Sequence, residues 1–128
     1  MATKLAGRLA TNQAFAQGKY VGISPLKVRL VADLVRGKKA TDALTLLRFT
    51  TKGGAEPVGK VIASAVANAT ENKQLSLDDL FITQIWVDGG PIRQWRRFAA
   101  RGRFHPLQRK SCHINVIVSE KAEETAAE

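Results

Sequence analysis

A chain of 128 residues with 20 Lys and Arg against 11 Asp and Glu carries a formal charge of +9, and is long enough for one domain with one modest core but too short for a second. That charge, with a pI near 10.2, selects a polyanionic partner, because clustered cations that neutralise phosphates release counterions; an anionic membrane surface satisfies the same arithmetic. No apolar run approaches the ~20 residues that span a bilayer, the continuous apolar segment of a secretory signal is missing, and the single Cys112 excludes an intramolecular disulfide framework and fits a reducing compartment.

Residues 1–14 are small, polar and basic and read as a flexible arm. The acid-free first thirty-two residues also faintly resemble an organellar transit peptide, a reading set aside here. A short extended segment around Tyr20-Val21 spans Phe15 to Ile23. Ser24-Pro25 then gives a helix start, with the Ser oxygen as cap and Pro in the first turn, and Gly37 gives the stop after Arg36. The apolar face of this helix is expected to be Leu26, Leu30, Val31, Leu34 and Val35. A second helix fits Lys39 to Phe49, with Ala43, Leu44, Leu47 and Phe49 apolar, and Thr50 to Gly54 reads as a loop. A third is expected from Ala55 to Asn72, burying Val58, Val61, Ile62, Ala65, Val66 and Ala69. Leu80 to Asp88 and His113 to Ser119 are rich in β-branched residues and read as strands, expected to pair antiparallel around an oversized hairpin. The acidic tail, 121–128, shows no core-forming pattern.

The charge is concentrated between those strands. Residues 1–88 hold twelve basic and seven acidic side chains, residues 89–119 seven and none, and residues 120–128 one and four. The acid-free stretch holds Arg93, Arg96, Arg97, Arg101, Arg103, Arg109 and Lys110, interleaved with Trp95, Phe98 and Phe104. Nothing so basic can be a core. With about nine residues in each arm, a hairpin over 91–111 would project on the order of 30 Å, a length seldom stable alone in water. Arginine forks on phosphates and aromatic rings against bases would stabilise it, and folded RNA offers crevices and unstacked bases that regular duplex DNA does not. Ala99-Ala100-Arg101-Gly102 is the natural tip, since Gly102 accepts a positive φ.

Several motifs, taken in order, carry a family resemblance. Tyr20-Val-Gly-Ile-Ser-Pro-Leu-Lys-Val-Arg-Leu-Val31, Arg36-Gly37-Lys38, Ala65-Val-Ala-Asn-Ala69, Val87-Asp88 with Gly90-Pro91, Arg101-Gly102-Arg103, and His113-Ile114 with Val116 to Ser119 strongly resemble large-subunit ribosomal protein twenty-two, over roughly residues 15–120. The resemblance implies an α+β domain of three helices on a three-stranded antiparallel sheet with a long protruding hairpin, belonging to the large subunit of a cytoplasmic ribosome, with an organellar one the lesser alternative. It implies binding to large-subunit rRNA, support of assembly, and a hairpin lining the nascent-peptide exit tunnel. The tip, Ala99, Ala100, Arg101, Gly102 and Arg103, would lie near the constriction opposite ribosomal protein four, in reach of the nascent peptide. Arg93 to Trp95 would be the arm segment where macrolide-resistance changes occur in the family. The rRNA-binding residues it implies are Lys19, Ser24, Lys27, Arg29, Lys38 and His113, joined to Arg93, Trp95, Arg96, Arg97, Arg101, Arg103, Arg109 and Lys110 of the hairpin. Gly22 and Leu26 stand where the family usually has basic residues, Phe98-Ala99 replaces a usual Pro-Arg pair, Phe104, His105 and Pro106 replace small, polar or charged residues, and Cys112 replaces a usual Ser.

Other chemistry finds little support. Cys112 and His113 are strand neighbours on opposite faces and cannot chelate together, so no metal or cofactor is expected. Asp78-Asp79 and Asp88 are the one acidic group that could hold Mg²⁺, and turn capping explains them better. Trp86 reads as core or sheet surface. An architectural DNA binder with a basic β-arm is the alternative to a ribosomal protein, and an RNA-processing enzyme stands behind both; a DNA architect would need a dimer to clasp a duplex.

Overall fold

The structure, a computed structural model, describes residues 7–120. Its main sheet has three antiparallel strands in the order β1-β5-β2: β1 over Gln13–Val21, β2 over Phe81–Gly89 and β5 over Cys112–Ser119. Three helices cover it, α1 over Pro25–Val35, α2 over Ala40–Phe49 and α3 over Ala55–Ala67. Helix α3 packs on β1 and β5, α1 on β2, and α2 on α3. Between β2 and β5 the chain runs out into a separate two-stranded ribbon, β3 over Arg93–Phe98 and β4 over Phe104–Arg109. The expected α+β class and the antiparallel pairing of the two flanking strands are both present.

Strand alternation divides β5 cleanly. Cys112, Ile114, Val116 and Val118 are fully buried on one face, joined by Ala14 and Ala16 of β1, Ile82, Ile85 and Val87 of β2, and Val58, Val61, Ile62 and Ala65 of α3, as a period of two requires. The opposite face, with no helix over it, is closed by Phe15 and Trp86, whose rings stack 6.4 Å apart. Asn115 lies beneath and donates from Nδ2 to Asp88 Oδ2 at 3.0 Å. Trp86 is therefore a sheet-surface residue, and Asp88 is engaged by a neighbouring strand.

Helix α1 differs from its sequence reading. It buries Val28, Val31, Ala32 and Val35, while Leu26, Leu30 and Leu34 are 65%, 60% and 46% exposed. Both stripes have helical spacing. The valine stripe is the one turned to the core as the helix packs on β2, with Gly54 at the start of α3 in van der Waals reach of Val28. Ser24 makes no side-chain cap; its carbonyl accepts the Lys27 and Val28 amides at 3.1 and 3.2 Å. Gly37 does end the helix with φ +78°, and its amide donates to the Ile82 carbonyl at 3.0 Å, which hands the chain to the start of β2.

Smaller differences follow the same logic. Phe49, grouped in the sequence with the apolar residues of the second helix, is exposed. Helix α3 gives way at Asn68 to a wider turn through Asn72, in which Asn68 Nδ2 donates to the Phe15 carbonyl of edge strand β1 at 3.0 Å. Asp78 and Asp79 lie in a single tight turn, Leu77–Asp79, without side-chain caps. Strand β1 begins at Gln13, so the end of the expected arm is already sheet, and residues 1–6 and the tail 121–128 lie outside the described residues.

Candidate nucleic-acid interface

The ribbon leaves the domain through a pinned neck. The Gly90 amide donates to the Ser111 carbonyl at 2.9 Å, and Ser111 Oγ donates to the Pro91 carbonyl at 2.7 Å. A side chain at Gly90 would collide with Ser111, its Cβ falling 3.2 and 3.3 Å from that residue's backbone C and O. Beyond the neck, Arg93 pairs with Arg109, Gln94 with Gln108, Trp95 with Leu107, Arg96 with Pro106, Arg97 with His105 and Phe98 with Phe104. The ladder thus holds six residues a side where about nine were expected, because Gly90 to Ile92 and Lys110-Ser111 form the neck. Six residues still carry it roughly 20 Å outward.

Apart from half-buried Leu107, every residue of both ribbon strands is exposed. Alternation places Arg93, Trp95 and Arg97 on one face with Arg109, Leu107 and His105 opposite them. Arg96, Phe98, Phe104 and Pro106 share the other face, where the Phe98 and Phe104 rings meet at 5.3 Å and the Arg96 guanidinium stands 5.8 Å from the Phe104 centroid. That aromatic pair closes the ladder beneath the tip. Ala99 N–H donates to the Arg103 carbonyl at 2.9 Å, and the turn uses positive φ at both Arg101 (60°) and Gly102 (69°). The glycine was legible as the left-handed residue; the arginine before it was not.

No ion pair among the described residues involves a ribbon cation; the pairs present are Arg36 with Asp33 and Lys60 with Glu56, both on exposed helix surface. Arg93 and Arg109 face each other directly across the ladder, an arrangement that destabilises an isolated hairpin.

The candidates outside the ribbon divide. Lys19, Lys27 and Lys38 are exposed. Ser24 lines a shallow cleft with Leu26, Arg29, Ile92 and Lys110. Arg29 is committed within the fold, its Nε and Nη2 both donating to the Val87 carbonyl at 3.2 and 3.0 Å. Half-buried His113 accepts the Tyr20 amide on Nδ1 at 3.0 Å, with the two rings edge to face at 5.0 Å. Tyr20 itself was not among the candidates. It sits in a bulge of β1, between Gly18 and Val21, with φ +57°. Burial holds the Cys112 thiol above its ordinary pKa range, partly opposed by the nearby Arg29 guanidinium, so nothing here activates it as a nucleophile.

A compact α+β domain with an acid-free cationic ribbon defines the class: a small basic protein whose charged element projects away from its core. The comparisons with known proteins narrow it. Residues 16–119 match the family described as ribosomal protein L22p/L17e, and the chain belongs to that family, whose members are structural proteins of the large ribosomal subunit. It is 49% identical over 111 residues to the large ribosomal subunit protein uL22 of Desulfitobacterium hafniense (strain Y51), covering 87% of this chain and 97% of that one. The uL22 of Syntrophobacter fumaroxidans is 47% identical over 107 residues (83% and 96%), and that of Deinococcus radiodurans 46% over 107 residues (84% and 80%). No helix among the described residues is long and apolar enough to cross a membrane.

Proposed function

We propose that this chain is a constituent of the large subunit of a cytoplasmic ribosome that binds large-subunit rRNA, supports assembly, and lines the nascent-peptide exit tunnel with its ribbon. The observation that carries the reading is the ribbon's unbalanced charge. Arg93 lies opposite Arg109, and Arg96, Arg97, Arg101, Arg103 and Lys110 add to a 31-residue stretch without one carboxylate. Such a ribbon is favoured only where phosphates surround it. Exposed Trp95, Phe98 and Phe104 suit unstacked bases and irregular RNA crevices more than a regular duplex.

Division of labour follows. Residues 13–120 form the RNA-binding unit, the end of the expected arm being part of β1, and the ribbon tip, Ala99 to Arg103, reaches the tunnel constriction beside ribosomal protein four and the nascent peptide. Lys19, Lys27 and Lys38 supply phosphate contacts from the domain, while Ser24 and His113 act through position near the neck. Tagged chain added to cells or to an assembly mixture should co-sediment with large subunits after a high-salt wash. Recovery of the folded chain only from the soluble fraction, or equal affinity for duplex DNA and large-subunit rRNA, would overturn the reading.

A further inference from the structure

At the base of the ribbon lies a cleft of about 450 Å³ lined by Tyr20, Gly22, Pro91, Arg93, Trp95, Arg109, Lys110 and Ser111, a volume within the roughly 300–1,000 Å³ range of small-ligand pockets. Its chemistry is unusually one-sided. Two aromatic side chains, Tyr20 at 69% and Trp95 at 55% exposure, share it with three cations, and no carboxylate lines it.

The aromatic walls come from two separate elements. Trp95 is on the ribbon face that also carries Arg93 and, across the ladder, Arg109. Tyr20 comes from β1, where the bulge re-aims a side chain that regular pairing would send straight out from one face of the sheet. A tyrosine at positive φ is costly and persists only where its surroundings hold it. Here the hold is the hydrogen bond from its amide to His113 Nδ1 and the edge of the His113 ring. A large aromatic ring is thereby held mostly exposed beside the neck, with the His113 ring against one side of it.

We propose that this cleft is the seat of a single unpaired RNA nucleotide, its base against Tyr20 and Trp95 and its flanking phosphates on Arg93, Arg109 and Lys110. Aromatic rings accept any base on their π faces, and forked guanidinium groups hold adjacent phosphates. His113 acts here as a positioning residue for Tyr20. The inference rests on the RNA-binding reading above, and assigns to one place on the protein a recognition of unpaired structure that the ribbon's distributed charge cannot provide.

The test uses the full chain and three stem-loop RNAs of one sequence: fully paired, with a single bulged adenosine, and with an abasic site at the bulge. The last two carry the same phosphates and differ only by the base. Binding is read by fluorescence anisotropy at several salt concentrations. The bulged-adenosine RNA should bind about tenfold tighter than the abasic one. Trp95→Ala and Tyr20→Gly, the latter compatible with the positive φ, should each remove that preference and leave the salt-dependent binding of all three RNAs in place. Trp95→Phe and Tyr20→Phe should retain it, with thermal unfolding confirming that each variant folds. Equal affinity of the unaltered chain for the adenosine and abasic bulges would overturn the proposal and leave general RNA binding standing; so would a preference that survives Trp95→Ala. Failure to bind any of the RNAs at low salt would overturn both readings.

Discussion

Arg29 of α1 and Val87 of β2 are joined by two hydrogen bonds to one carbonyl, from Nε at 3.2 Å and Nη2 at 3.0 Å, and two turns further on Arg36 Nη2 reaches the Ile85 carbonyl at 3.0 Å. Strand β2 is an edge of the sheet, and these two side chains cover its carbonyls along the length of the helix. Edge strands left open invite pairing with other chains, so two residues of a basic helix serve the fold. Arg29→Ala should therefore lower unfolding free energy by about 1–3 kcal/mol, the range for stranding a buried acceptor of a charged donor, with little change in the salt slope of RNA binding. Arg29→Lys, which lacks the fork, should recover only part of the stability. Denaturant titration alongside RNA titration checks both, and a variant of unchanged stability with weakened RNA binding would return Arg29 to the interface.

On α1 the two leucine-valine stripes should respond oppositely to truncation. Val31→Ala opens a cavity in the core and should cost about 1–3 kcal/mol, whereas Leu30→Ala on the exposed stripe should stay within about 0.5 kcal/mol. Equal losses would mean that the leucines are covered in the isolated protein. Chemical denaturation of the two variants decides it.

These residues also mark how far the sequence could be read. The helix, its Pro25 start and its Gly37 stop follow from local chemistry and were legible. Which of two helically spaced apolar stripes faced inward was not, because both are apolar at the same spacing and the choice is made by the tertiary packing of α1 on β2. The ribbon's cations and tip were legible for the opposite reason: charge without carboxylates and a glycine at a turn are local signals. Tyr20 was missed because its exposure depends on a bulge and on His113, ninety-three residues away. The Arg29 bonds to Val87 were not legible either, because a cation's partner can be a carbonyl on a strand that no spacing rule brings near it.

Gly18 of β1 leaves no room for a side chain: a Cβ there would stand 2.6 Å from Val61 Cγ2 of α3. Gly18→Ala should destabilise the domain by about 1–3 kcal/mol through overpacking. Because the obstacle is a side-chain methyl, the double variant Gly18→Ala/Val61→Ala should recover part of that loss, giving a coupling energy in a double-mutant cycle. Strict additivity of the two single effects would contradict the contact.

Cys112 gives the fold a pH dependence at the alkaline end. Its thiol is buried and its pKa raised above the ordinary value near 9.0, so the folded chain keeps a proton that the unfolded chain releases first. The contribution to stability is complete below the unfolded pKa and is lost as pH rises from there through the higher folded value. The difference in unfolding free energy between the unaltered chain and Cys112→Ala should be flat from about pH 6 to 8 and shrink above about pH 9. Alkylation of the native thiol should be slow throughout. A difference that is constant to pH 10 would contradict the burial argument.

On the proposed reading, folding and RNA anchoring are built into separate parts of this chain: none of the buried core residues falls between 92 and 110, and the neck is closed from both sides by Gly90 and Ser111. Replacing residues 92–110 with a short glycine-containing turn tests that separation most directly, by thermal unfolding and by titration with large-subunit rRNA across a salt series. The shortened chain should keep a single cooperative transition while losing most of its rRNA affinity, its log–log salt slope falling by roughly 0.7–0.9 for each phosphate contact removed. A molten domain, or a folded one with undiminished affinity and slope, would show that the ribbon belongs to the core or that the phosphates are held elsewhere.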